Sequence, residues 1–221
     1  MPSRKTPLVT QEIYHVFNRG FNKKQIFFSE KDYIRAIKTI QYYQYLTPPI
    51  KFSYLNLQTP KRQKKILQQL VQTSIDILAY CFMPNHFHFL IKQTKDKGIL
   101  QSISKFSNSY SKYFNTIYEK QGPVLEGRFK AIRVTSNEQL LHLSRYIHLN
   151  PFTSSIIKDI NKIQEYPYSS IKEYLSSSRY NLCSTDTILR EFKTKKSYLE
   201  FIQNQADYQK QLHLIKSLSL E

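Results

Sequence analysis

IDILAYCFM (75–83), PN (84–85) and HFHFLIK (86–92) make up the run that decides the fold. Two stretches rich in β-branched and aromatic residues flank a two-residue turn, which is the pattern of an antiparallel hairpin. Successive side chains of a strand point to opposite faces, so His86 and His88 share one side while Phe87 and Phe89 share the other.

Upstream of the hairpin, EIYHVFNRG (12–20) alternates as a further strand and ends in the turn signal Asn18-Arg19-Gly20. A helix opens at Ser29, with Glu30 and Asp32 in its first turn, and runs through YIRAIKTIQYYQYL to the break at Thr47-Pro48-Pro49. Residues 47–72 read as an insertion, a short IKFSYL stretch followed by a basic helix KRQKKILQQLVQ entered at Pro60. Downstream, an amphipathic helix covers about 98–119 and stops near Gly122-Pro123, and EGRFKAIRVTS (126–136) reads as a strand. The last helix of this series, from about 137 to 149, has Ser136 and Gln139 at capping-box spacing and ends at Asn150-Pro151. The order β-α-β-β-α-β-α predicts an α+β fold of ferredoxin-like type, a mainly antiparallel central sheet with helices on one face. Residues 1–172 are expected to form this domain. Residues 173–221 form a small C-terminal helical appendage, with short helices around 187–217.

Charge narrows the function. The chain carries 33 Lys and Arg against 16 Asp and Glu, a net charge of +17. Residues 171–221 hold 8 basic and 6 acidic side chains, which leaves 25 against 10 for residues 1–170. Seventeen tyrosines and fourteen phenylalanines lie among these charges. Cations interleaved with aromatic rings suit a nucleic-acid partner, the cations meeting phosphates and the rings stacking unpaired bases. Only four glycines occur, so a glycine-rich phosphate loop is not expected. No apolar run reaches the roughly 18 residues of a membrane span, and the first ten residues lack the apolar core of a signal peptide. Cys81 and Cys183 form no disulfide framework or metal spacing. A cytoplasmic, nucleoid-associated location with no membrane partner is the expectation.

Two constellations have chemical potential. His86 and His88, on one face of a rigid strand, suit a divalent metal bound through neutral imidazole nitrogens, with a third ligand from elsewhere. Such a pair also lines half-buried faces without any metal. In RYIHLNP (145–151), helical spacing puts Tyr146 and Asn150 on one face, with His142 one turn earlier. A phenol beside an amide oxygen is useful if Asn150 completes a metal site and Tyr146 is a nucleophile; an amphipathic tyrosine in a core gives the same spacing.

Several stretches, taken in order, resemble one family. CFMPNHFHFLIK is similar to the His-hydrophobic-His (HUH) segment of single-tyrosine transposases, and YHVFNRGFNKKQIFF resembles their first strand and the turn after it. SKYFNTIYEKQGPVLEGRFKAIRV (111–134) resembles the stretch before their tyrosine helix, RYIHLNPF that helix's end, and EYPYSS (165–170) a segment that follows it in the REP-associated branch. The resemblance covers most of residues 12–172 and implies the HUH fold, with residues 47–72 longer than the family's usual connection. It implies His86 and His88 as metal ligands, Asn150 as the third ligand and Tyr146 as the attacking tyrosine. His142 receives no role. Arg19, Arg128, Lys130 and Arg145, basic residues inside these stretches, are the expected DNA contacts.

The chemistry implied is metal-dependent cleavage and rejoining of single-stranded or hairpin DNA through a covalent 5′-phosphotyrosine, for transposition or repeat processing. Magnesium is the expected cofactor, with manganese a good substitute because it accepts imidazole better. Monomer and homodimer are both open. A relaxase or replication initiator shares the HUH layout, a domesticated protein could bind hairpins without cutting them, and a metal hydrolase would leave the tyrosine idle.

Overall fold

The structure, a computed structural model, describes residues 7–176 and 180–211. Four strands, β1 (Ile13–Arg19), β2 (Ile75–Met83), β3 (His86–Gln93) and β4 (Lys130–Arg133), form one sheet in the order β2-β3-β1-β4. β2 and β3 are the hairpin turned at Pro84-Asn85. Gln11 N–H donates to the Gln93 carbonyl at 2.6 Å and Gly20 N–H to the Asn85 carbonyl at 2.7 Å, which sets β1 antiparallel to β3. β1 also runs antiparallel to β4, with Tyr14 opposite Arg133 and Val16 opposite Ala131. The α+β class and the antiparallel sheet agree with the reading of the sequence. β4 is shorter than the expected 126–136, because Gly127 takes a left-handed φ of +58° and bends the chain out of the pleat.

The chain divides into two compact units. One comprises Met1–Asp76, Pro84–His86 and Ile91–Arg133. It contains α1 (Glu30–Tyr43), α2 (Phe52–Leu55), α3 (Pro60–Gln68) and α4 (Gly98–Ile117). Ser29 caps α1, and Asp32 closes the reciprocal bond of the capping box. The Asp32 carboxylate also accepts Tyr113 Oη at 3.0 Å and Tyr118 Oη at 2.6 Å, so two phenols at the C-terminal end of α4 lock onto the start of α1. Gly20, at the end of β1, is required by close approach: a Cβ there would lie 2.0 Å from the Lys24 carbonyl oxygen. The insertion is packed rather than loose. Tyr42, Tyr43, Phe52, Leu55 and Ile66 bury one cluster beneath α2 and α3, and Tyr42 Oη donates to the Ile50 carbonyl at 2.7 Å.

The other unit comprises Ile77–Met83, Phe87–Leu90 and Val134–Glu221. It contains α5 (Asn137–Thr153), α6 (Ile171–Leu175), α7 (Asp186–Leu189) and α8 (Lys195–Gln203). The outer edge of β2 is covered by residues 166–170. Phe82 N–H donates to the Tyr168 carbonyl at 2.9 Å, Ser170 N–H to the Tyr80 carbonyl at 3.0 Å, and Tyr166 Oη to the Phe82 carbonyl at 2.7 Å. Pairing of this kind satisfies the backbone groups that an edge strand otherwise exposes.

Three details differ from expectation. α5 continues through Pro151 to Thr153, because a proline in the last turn forfeits only one backbone bond. Ser136 accepts the Gln139 N–H at 3.1 Å, but the Gln139 side chain reaches back to the Thr135 N–H rather than to Ser136. The division expected at 172/173 falls inside the second unit, where α8 packs on α5. Of the helices expected around 187–217, α7 and α8 are present, and residues 212–217 lie outside the described residues, as do residues 1–6. No helix among the described residues is long and apolar enough to cross a membrane.

Candidate functional site

His86 begins β3 directly after the turn. Its Nδ1 lies 2.6 Å from Asn85 Oδ1, while the Asn85 amide donates to the Lys23 carbonyl at 3.1 Å. That second bond fixes the Asn85 oxygen toward the imidazole. With that oxygen facing the ring, Nδ1 of His86 is the donor in this bond. An imidazole held this way at one nitrogen is the usual arrangement of a metal ligand. Asn85 went unnoticed in the sequence because a turn position explains an asparagine without any further role.

In the second unit, His88 is 7% exposed and its ring meets that of Tyr146 edge to face, with centroids 5.5 Å apart and planes at 80°. Tyr146 is 37% exposed and Asn150 is buried. The Asn150 amide donates to the Tyr146 backbone carbonyl at 2.9 Å, one helical turn back. Burial raises the Tyr146 phenol above its ordinary value, and hydrogen bonding with Asn150 opposes this. A part-exposed tyrosine, an imidazole and an amide thus lie together on one side of α5.

α5 is held from behind. His148 is fully buried, with Nδ1 2.8 Å from Tyr198 Oη and Nε2 2.7 Å from Ser170 Oγ, and burial lowers it to about 3. Arg145 is 3% exposed. It bonds the Phe201 carbonyl and Gln205, lies 2.5 Å from His142 Nδ1 and stacks its guanidinium 4.3 Å over the Phe201 ring. That guanidinium fastens α5 to α8, which leaves it unavailable for the phosphate contact expected of it. His142 sits between Arg145 and Glu138. The other named cations, Arg19, Arg128 and Lys130, are exposed. Arg19 is clamped by both oxygens of Glu126, which raises the guanidinium and lowers the carboxylate from their ordinary values.

Among the described residues no cluster of three His, Cys, Asp or Glu side chains is placed to hold a metal. β3 carries the two imidazoles, and α5 carries the amide of Asn150 and the phenol of Tyr146. His15, to which the sequence reading gave no role, is a buried imidazole of β1, 4.9 Å from the Phe17 ring, and burial lowers it to about 4. It is neutral at pH 7.

Residues 36–150 match the family model described as "Transposase IS200 like". The matched region is more than half of the chain and contains His86, His88, Tyr146 and Asn150. The chain belongs to the IS200-like transposase family. Its role is therefore in DNA processing. A solved structure of a REP-associated tyrosine transposase bound to a REP hairpin is similar to this family member, at 13% identity and a TM-score of 0.52, over 84% of this chain and 90% of that one. At that identity the likeness concerns the fold. A candidate transposase from Deinococcus radiodurans aligns at 13% identity and a TM-score of 0.36, over 66% of this chain and 95% of the other. No curated protein matches the chain.

Proposed function

We propose that this member of the transposase family cleaves and rejoins single-stranded DNA through Tyr146, with a divalent metal held by His86, His88 and Asn150. The observation that carries the reading is the contact of His88 with Tyr146, the latter exposed and one turn from Asn150. Bound there, magnesium or manganese would draw charge from the scissile phosphate. The rest falls to this chain's own residues. The Tyr146 oxygen attacks phosphorus and its proton passes to solvent. The bond from phosphorus to the 3′-oxygen breaks, and that oxygen takes up a proton. The downstream strand is left as a 5′-phosphotyrosine. Attack by a new 3′-hydroxyl reverses these steps, and because one ester replaces another, rejoining needs no nucleotide cofactor.

Arg19, Arg128 and Lys130, exposed on the first unit, are the proposed phosphate contacts. The structural relative solved with a REP hairpin makes hairpin DNA the first substrate to try. Incubating the protein with 5′- and 3′-labelled single-stranded and hairpin DNA plus Mn²⁺ tests the reading on a denaturing gel. The expected result is a covalent species that retains only the 3′-labelled fragment and disappears with a chelator. Cleavage without any adduct would point to water as the nucleophile and overturn the proposal. Tight hairpin binding with neither cleavage nor adduct would make the protein a binder.

A further inference from the structure

The first unit holds a groove of about 890 Å³, bounded by the insertion on one side and by α1 and α4 on the other. Four cations line it: Arg35 of α1, Lys51 before α2, and Lys105 and Lys112 of α4. No Asp or Glu is among the lining residues, and none of the four cations has an ion-pair partner among the described residues. The insertion, residues 47–72, itself has five Lys or Arg and no Asp or Glu. Positive charge therefore outweighs negative charge along the groove, which favours an anionic occupant.

Aromatic rings interleave with these charges. Tyr54 is 54% exposed, with Lys51 Nζ 6.0 Å from its ring centre. Arg35 stacks its guanidinium 4.5 Å from the Phe52 ring centre and 5.3 Å from that of Tyr113. Its Nε is buried with no hydrogen-bond partner, and burial pulls the guanidinium below its ordinary value. A desolvated cation wedged between rings, with an unspent donor and no ion pair, is stabilised when an anion arrives. Lys105 and Lys112 are seven residues apart on the exposed face of α4, two turns or about 10 Å along its axis, so they would meet different phosphates of one strand.

We propose that this groove is a second binding site, for a few nucleotides of unpaired DNA, with phosphates on Lys51, Lys105 and Lys112 and a base stacked on Tyr54. An exposed ring favours unpaired over duplex DNA, because bases offer their faces only when unpaired. The inference rests on the DNA-processing reading above but not on its chemistry. The site would hold a flanking strand and is built by the insertion and α4 together.

The test uses the full chain, a fluorescein-labelled twelve-nucleotide oligo-dT with no hairpin, and anisotropy over a range of salt. Lys105→Ala/Lys112→Ala alters only exposed positions. It is expected to weaken binding at least tenfold and to make the log–log salt slope shallower by about 1.4, since each phosphate contact on a single strand contributes roughly 0.7. Tyr54→Ala should weaken binding at least about fivefold and leave the salt slope unchanged. Unchanged affinity and slope in the double variant would overturn the proposal, as would equally good competition by poly-glutamate, which has charge but no bases. The covalent adduct is read separately in the same preparations. Oligo-dT binding that falls in the variants while wild type forms no adduct keeps the groove and removes the nuclease reading. An adduct in wild type with unaltered oligo-dT binding in the variants does the reverse.

Discussion

The ring of His88 presents itself to the ring of Tyr146 at 80°, with 5.5 Å between centroids. Edge-to-face packing of this kind is worth on the order of 0.5–1.5 kcal/mol between aromatic rings, and it orients both partners. A tyrosine free to rotate would have to be ordered in each catalytic cycle. One leaning on an imidazole of the sheet is already placed, with its side chain at the protein surface.

Tyr146→Phe is expected to abolish the covalent protein–DNA species while changing stability by less than about 1 kcal/mol, as the ring packing is retained. Tyr110→Phe and Tyr113→Phe should keep the adduct. Tyr110 Oη donates to the Ile26 carbonyl at 2.5 Å, and Tyr113 Oη to Asp32 at 3.0 Å, with burial and that bond pushing Tyr113 up to about 12. Mass-spectrometric mapping of the nucleotide-bearing peptide decides between them. An adduct on α4 would remove Tyr146 from the role.

The proposed metal site predicts effects beyond its direct ligands. His88→Ala should eliminate cleavage at any Mn²⁺ concentration tried. Asn85→Ala should leave the hairpin folded but weaken Mn²⁺ binding by about 10- to 100-fold, because it frees the imidazole of His86. Calorimetric titration with Mn²⁺ measures this without reference to DNA. Equal affinities in wild type and Asn85→Ala would show that His86 is not a ligand oriented by its neighbour.

Asp32 supplies a pH dependence. Burial alone would raise it, but hydrogen bonds from Tyr118, the Ser29 and Phe28 backbone and Tyr113 outweigh that and hold it below its ordinary value. A carboxylate depressed in the folded state adds stability that is present above its unfolded value, near 3.9, and is lost as pH falls through the folded one. Asp32→Asn should therefore cost about 1–3 kcal/mol at pH 7 in urea unfolding, with a gap to wild type that narrows below about pH 4. A gap of constant size from pH 7 to pH 3 would contradict this.

Gly20→Ala places a methyl group 2.0 Å from the Lys24 carbonyl oxygen, a backbone atom with no rotamer to change. The strain should cost about 1–3 kcal/mol and lower Tm by at least about 2 °C. Gly20 also donates to the Asn85 carbonyl, so Mn²⁺ affinity should fall together with Tm. A fully stable variant would mean that the 20–24 turn relaxes freely.

Much of this was legible in the sequence, for reasons that can be named. A two-residue turn between β-rich runs leaves little choice but a hairpin, and Ser29 followed by the first-turn acids Glu30 and Asp32 marks a helix start. The expectation that His86 and His88 share a face rests on strand alternation alone. What was not legible depends on partners distant in sequence. Arg145 reads as a surface cation until Phe201 and Gln205 are placed against it. Asn85 reads as a turn residue until Lys23 fixes its amide. The hydroxyls of Tyr110, Tyr166 and Tyr174 donate to backbone carbonyls of distant residues, a use that no local pattern announces.

The cover along the outer edge of β2 bears on how far the protein can be shortened. Nearly every residue of β2 is buried, and the segment that pairs with it lies more than eighty residues downstream. A fragment ending soon after α5 would retain Tyr146 and both histidines yet bare a long apolar edge with unpaired amides, the geometry through which chains stack into insoluble ribbons. The last side chain of the proposed site is thus not the end of the minimal folded protein. A truncated version stays in solution only if it extends past Ser170.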